Sequence, residues 1–365
     1  MDWIPIQYYI ASFYSILCVF LFFMLIPLFS FSSNQRVFVY NYRFNTLLII
    51  FIVILFIGLR DAMGAREYFG DTKSYTNLYQ TLSNDSVLLF TKDPGFYFFM
   101  KLCSNWISVK WFYILCASLY LIPPYIAFKK WFGYNAFIAL VMFVVSLSFL
   151  GYGINGIRNG LATSFFIYAL AVMETNKIKS VLIMILAYTF HQSLLLPFIV
   201  YFLTLKFTKT KLLIRVWLFL VVASYFFGTS FNEIINNLSD FIDFGGDRGT
   251  NLFADELDGR QMNRKYRLDF ILYSGLPILF GYFYSKKITD KFYTQIFNIY
   301  IINNCVWLFL IYAAYSNRIA YLSWFLIPII LIYPLLKYNL YKNQNNLIGY
   351  LVFGSLLFTL LNEFL

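Results

Sequence analysis

Residues 44–61 read FNTLLIIFIVILFIGLRD. From Leu47 to Leu59 every side chain is aliphatic, phenylalanine or glycine, and Arg60 and Asp61 then follow with no spacer. The run has no period-2 alternation, which a strand of a transmembrane β-barrel would need. It also has no polar face, which a helix at a water-exposed surface would need. It reads as a helix that is apolar all round, ending abruptly at two charged residues. About 20 such residues cross a hydrocarbon layer of ~30 Å.

The same texture recurs outward from this segment. Apolar runs predict crossings at 8–31, 44–59, 111–128, 134–151, 158–174, 180–190, 192–205, 212–230, 268–285, 293–313, 319–336 and 347–364. The composition agrees. Of 365 residues, 61% are hydrophobic and 12% charged, with a mean hydropathy of +0.68. A soluble domain carries about 45–50% apolar and about 25% charged residues, so this chain cannot clothe a water-facing surface. A soluble enzyme, a disordered chain and a secreted disulfide scaffold are excluded. The fold class is all-α: a polytopic membrane protein of about twelve transmembrane helices, read as one membrane domain over 1–365. The first run has no basic segment before it and no small-residue cleavage site, so it reads as a retained span.

Charge sets the orientation. Short loops rich in Lys and Arg stay on the cytoplasmic side. Arg36 and Arg43, Lys129 and Lys130, Lys177 and Lys179, Lys206 to Arg215, Lys286 to Lys291, and Lys337 with Lys342 form six such loops. They hold 15 basic and 2 acidic residues. The loops at Lys177 and at Lys206 both belong inside, so the chain between them goes out and returns, with His191 at the outer tip of a broken hairpin. The net charge of +11 is therefore a topology signal, and nucleic acid is not an expected partner. The cysteines at 18, 103, 116 and 305 form no CxxC pair. They read as apolar filler, and no metal site or cofactor is expected.

Two external elaborations remain. Residues 60–110 form a loop whose second half fits an amphipathic helix lying in the membrane interface. Residues 231–267 form a second loop with Gly245, Gly246 and Gly249. Its mixed charges, Arg248, Arg260, Arg264, Lys265 and Arg267 among Asp247, Asp255, Glu256 and Asp258, fit a solvated surface or a lid over an anionic or sugar substrate.

Ionisable residues at membrane depth are costly and mark candidate sites. They gather at the outer helix ends: Arg60 and Asp61; Asp71 and Tyr75 in GDTKSY; Asp93, with Pro94 and Gly95, opening DPGFYFF; Arg158 and Asn159 after GYGING; His191 at the hairpin tip; Arg318 and Tyr321 in NRIAYL. Each has a plain alternative. An Arg at the boundary snorkels to headgroups, a lone His is a hydrogen-bonded structural residue, and Asp61 and Asp71 serve turns or pair with Arg. Three guanidiniums converging on one face would bind a diphosphate. His191, or failing it Asp71 or Asp61, would take a proton from a sugar hydroxyl.

The ordered series GLRDAMG and GDTKSY, DPGFYFF, GIRNGLA, FHQSLL and NRIAYL resembles the EpsG/Wzy-like family of bacterial polysaccharide polymerases, over roughly Arg60 to Tyr321. The resemblance implies a GT-C-like fold in the bacterial plasma membrane. It implies transfer of a growing glycan from undecaprenyl pyrophosphate to a lipid-linked repeat unit at the periplasmic or outer face. It favours Arg60, Asp71, Arg158, His191 and Arg318 as site residues, needs no nucleotide sugar, and leaves room for a chain-length regulator protein as a partner. A lipid-linked oligosaccharide flippase is the competing class, but its charges should line a path open to both faces. An O-antigen ligase shares the donor and differs in acceptor. An acyltransferase would place its His deep in a cavity and need no diphosphate clamp.

Overall fold

A computed structural model describes residues 4–30, 35–84, 93–239, 256–257, 260–261, 266–313 and 316–364, with side chains at 24–42, 232–239, 256–257 and 260–261 left aside. The chain divides into two compact units, one of Met1–Leu194 with Leu335–Leu365 and one of Leu195–Pro334.

The first unit contains α1 (Tyr9–Ser30), α2 (Gln35–Gly58), α3 (Arg66–Phe69), α4 (Thr72–Ser83), α5 (Pro94–Ser104), α6 (Val109–Phe132), α7 (Ala136–Val144), α8 (Leu147–Ile154), α9 (Ile157–Met173) and α10 (Lys177–Phe190). The second contains α11 (Leu195–Lys206), α12 (Thr210–Ser239), a two-residue antiparallel pair β1 (Glu256–Leu257) and β2 (Arg260–Gln261), α13 (Leu268–Ser285), α14 (Lys291–Phe309) and α15 (Ser316–Trp324). Next come α16 (Ile327–Lys337) and, back in the first unit, α17 (Gln344–Phe364).

Helix occupies every predicted crossing, and five helical stretches among the described residues are long and apolar enough to span a membrane. The physical mark is apolar surface on both sides of one helix. On α17, Ile348, Val352 and Leu356 are buried while Tyr350, Phe353, Leu357 and Leu361 are exposed. Water would not tolerate that outer stripe, whereas lipid does.

Two predicted crossings are broken. The run 134–151 divides into α7 and α8 at Val145 and Ser146. The backbone freed there is satisfied: Thr359 Oγ1 of α17 donates to the Val145 carbonyl at 2.8 Å, and Ser146 Oγ donates to Phe143 O at 2.7 Å. Non-helical backbone at membrane depth persists only with such partners. The run 319–336 divides into α15 and α16 around Phe325 and Leu326.

The predicted loop 60–110 contains three helices, α3, α4 and α5. On α5, Phe96, Met100 and Cys103 face inward and Phe98 and Leu102 outward. In the second unit, buried asparagines of α14 supply the cross-helix bonds. Trp217 Nε1 donates to Asn304 Oδ1 at 2.7 Å, Asn304 Nδ2 donates to Ser323 Oγ at 2.9 Å, and Asn303 Nδ2 donates to Leu322 O at 3.3 Å. The last two bonds hold α15, which carries Arg318 and Tyr321. Of the 231–267 loop, residues 240–255, 258–259 and 262–265 lie outside the described residues. The lid reading of Arg248, Arg264, Lys265, Asp247, Asp255 and Asp258 falls on them, and the Arg260 and Glu256 side chains are likewise not described.

Candidate functional site

The first unit gathers several sequence-predicted residues around Arg158, the second residue of α9. Its guanidinium is held on two of three nitrogens. Nε donates to the Tyr75 hydroxyl at 3.2 Å. Nη1 donates to Asp93 Oδ2 at 2.6 Å and to the Tyr97 hydroxyl at 3.4 Å. Nη2 has no partner among the described residues. The side chain is 12% exposed and that of Asp93 1%. Burial pushes the Tyr75 phenol above its ordinary range, against the pull of the Arg158 charge. Tyr75 therefore stays a neutral acceptor for Nε at physiological pH. Asn159, next in the chain, is 7% exposed, and its Oδ1 has no hydrogen-bond partner among the described residues. Buried acceptors are ordinarily paired, and this one lies next in the chain to a fixed cation.

Asp93 links this cation to the break at His191. It precedes α5 at the N-cap position, where an Asp side chain ordinarily accepts from the helix's own first amides. Here no such cap forms. Oδ2 instead takes Arg158, and Oδ1 accepts from the Gln192 backbone N–H at 3.0 Å. The approach depends on Gly95, since a Cβ there would stand 2.3 Å from Thr189 Oγ1 and 2.8 Å from Thr189 Cβ on α10. Only glycine lets α5 lie this close to α10. The sequence places Asp93, with Pro94 and Gly95, at a predicted helix end in DPGFYFF but gives it no role in the site; only these contacts do.

His191 stands where the sequence places it, just past the end of α10, in extended conformation (φ −155°, ψ 118°) before a 3-10 turn at Gln192–Leu194. Its Nδ1 accepts from the Ser193 backbone N–H at 3.2 Å and lies 2.9 Å from Ser193 Oγ. A backbone amide can only donate. Nδ1 therefore bears the lone pair, and in the neutral ring the hydrogen sits on Nε2.

Arg60 lies deeper than its position after a membrane run suggested. It is 4% exposed. Nε donates to Thr72 Oγ1 at 3.0 Å, Nη1 donates to the Ile57 carbonyl, and Nη2 donates to the Ile154 carbonyl at 3.5 Å. Its guanidinium carbon sits 4.2 Å from the centre of the Tyr113 ring. It joins α2, α4, α6 and α8. Asp61 is exposed, and its Oδ1 accepts from Met63 N at 2.9 Å in a local turn. Asp71 follows Gly70, whose φ of +53° favours glycine. Its N–H donates to Asn155 Oδ1 at 3.0 Å, and its carboxylate lies 3.9 Å from Arg66. Its carbonyl accepts from Tyr75 N, one turn along α4.

Arg318 and Tyr321 belong to the second unit. Arg318 is exposed at the start of α15, and the Tyr321 ring packs 5.4 Å from Trp324.

No curated protein and no solved structure matches the chain. The EpsG family matches residues 43–363, a span that contains Arg60, Tyr75, Asp93, Arg158, His191 and Arg318 and all the motifs that carried the resemblance. A buried, braced cation beside a broken helix thus lies inside a family signature covering most of the sequence: the chain belongs to the EpsG family, the family of Wzy-like polysaccharide polymerases.

Proposed function

We propose that this protein polymerises lipid-linked oligosaccharide repeat units, transferring the glycan from undecaprenyl pyrophosphate to the next unit at the periplasmic or outer face of the bacterial plasma membrane. The reading includes a GT-C-like arrangement of about twelve crossings, with α5 in the membrane interface. One observation carries it within the family: Arg158 is fixed by Tyr75 and Asp93, yet among the described residues its Nη2 has no partner, one residue from the Asn159 acceptor that likewise has none there.

In the proposed reaction the bond between the anomeric carbon and the pyrophosphate oxygen breaks, and the electron pair leaves with the pyrophosphate. A bond forms between the anomeric carbon and an acceptor hydroxyl oxygen, whose proton must be taken up. Charge grows on the leaving oxygens as the sugar becomes oxocarbenium-like. A donor already aimed at that charge, with no reorganisation left to perform, favours the transition state over the ground state. Arg158 Nη2 is that donor. His191, with its hydrogen on Nε2, donates to a leaving oxygen. Asp71 takes the acceptor proton, since the acceptor nitrogen of His191 faces the Ser193 amide. Asp61 is the more peripheral carboxylate of the two, and Arg60 supports the fold of the site. Donor and acceptor each carry a diphosphate, and Arg318, with Tyr321 on the same helix, is the further cation assigned to one.

The test is reconstitution. Purified protein in lipid vesicles receives lipid-pyrophosphate-linked repeat units and nothing else, and products are separated by size. A ladder with release of lipid pyrophosphate is expected. Substrate moved between leaflets without any ladder would replace this reading with a flippase.

A further inference from the structure

We infer that Asp93 is a positioning residue that sets the register between Arg158 and the His191 turn. For its consequence on activity this rests on the polymerase reading above; for its geometry it does not.

Among the described residues, Asp93 is bonded both to the guanidinium and to the backbone of the turn. Its two oxygens divide between them: Oδ2 takes Arg158 Nη1 at 2.6 Å and Oδ1 takes the Gln192 N–H at 3.0 Å. Leaving its own helix uncapped gives up a bond that an N-cap Asp usually makes. A carboxylate 1% exposed is stable only with charge and hydrogen-bond partners. Both partners here come from elements far away in sequence. The Gln192 amide is adjacent to the Ser193 amide that occupies His191 Nδ1. Fixing the first peptide fixes the direction of the second, and with it the tautomer and the aim of the ring. Asp93 thus acts on His191 without touching it.

The sequence contains a single histidine, so a histidine-selective reagent reports on one residue. The experiment treats the full-length protein in lipid vesicles with diethyl pyrocarbonate at fixed neutral pH, and follows carbethoxylation of His191 by mass spectrometry. Three variants are compared with the natural protein. Asp93→Asn keeps the size of the side chain and removes the charge. Gln192→Pro removes the N–H that Asp93 accepts; the extended backbone of His191 is the conformation that a following proline requires. Asp290→Asn is the control. Asp290 caps α14 through Tyr293 N at 3.0 Å and accepts from the Tyr333 hydroxyl at 3.0 Å in the second unit, so its loss disturbs folding without reaching the turn.

Labelling of His191 is expected to accelerate several-fold in Asp93→Asn and in Gln192→Pro and to stay unchanged in Asp290→Asn. An unchanged rate in Asp93→Asn or, if that variant does not insert, in Gln192→Pro overturns the inference. So does equal acceleration in all three, which would reduce Asp93 to general stability. Because labelling uses no substrate, failure of the natural protein to build a ladder counts against the polymerase reading and leaves this measurement standing.

Discussion

Arg158 and Asp93 form an ion pair at 2.6 Å in which the carboxylate is all but sealed from solvent. The pair is a brace. Residue 158 keeps its positive charge in a buried place, and among the described residues its Nη2 is left without a partner. A cation built only to snorkel would reach headgroups and would not be fastened on two other nitrogens.

Arg158→Lys is expected to retain folding and lose about 100-fold in chain extension, the cost of removing one preorganised donor from a developing oxyanion. An ammonium is a point charge. It can pair with Asp93 or face the substrate, but it cannot span Tyr75, Asp93 and an outward donor together. Reconstituted polymerisation beside thermal melting of the same preparation checks this. Full activity in the lysine variant removes Arg158 from the site.

His191 separates donor from base by its substitutions. If the ring donates from Nε2, His191→Gln should recover part of the rate that His191→Ala loses, because a carboxamide also donates. A base would leave both variants equally inactive.

Gly95→Ala should reduce activity and cost about 1–3 kcal/mol of stability through overpacking, since the new methyl meets Thr189 at 2.3–2.8 Å. Moving α5 away from α10 draws Asp93 from the Gln192 amide, so His191 labelling should rise as well. Labelling unchanged from the natural protein would show that α10 absorbs the methyl elsewhere.

Arg60→Met tests a structural cation. Removing it leaves the Ile57 carbonyl without that donor and Thr72 Oγ1 without its Nε partner, while the Ile154 carbonyl keeps the Thr72 hydroxyl; a buried acceptor left unsatisfied costs about 1–3 kcal/mol. The expected outcome is a lowered melting temperature in detergent, with the KM of surviving enzyme near that of the natural protein. A stable Arg60→Met protein with a greatly raised KM would return Arg60 to the diphosphate.

What the sequence determined by itself is the membrane-spanning helical class and the family. Hydropathy is a property of contiguous residues, so runs such as 44–59 and the stop at Arg60 are visible without any fold, as is the break at His191, where two short apolar halves flank a polar tip. The ordered motifs work the same way. Roles within the site were decided only by tertiary contacts. Arg60 and Arg158 look alike in sequence, each an Arg at a predicted helix end; one makes hydrogen bonds from all three nitrogens to Thr72 and two carbonyls, while the other, among the described residues, keeps a nitrogen open. Asp93 looks like an ordinary helix cap, and the tautomer of His191 depends on where one amide points. Hydrogen bonds join residues 65 and 99 positions apart, and no local pattern encodes which donor a buried carboxylate will meet.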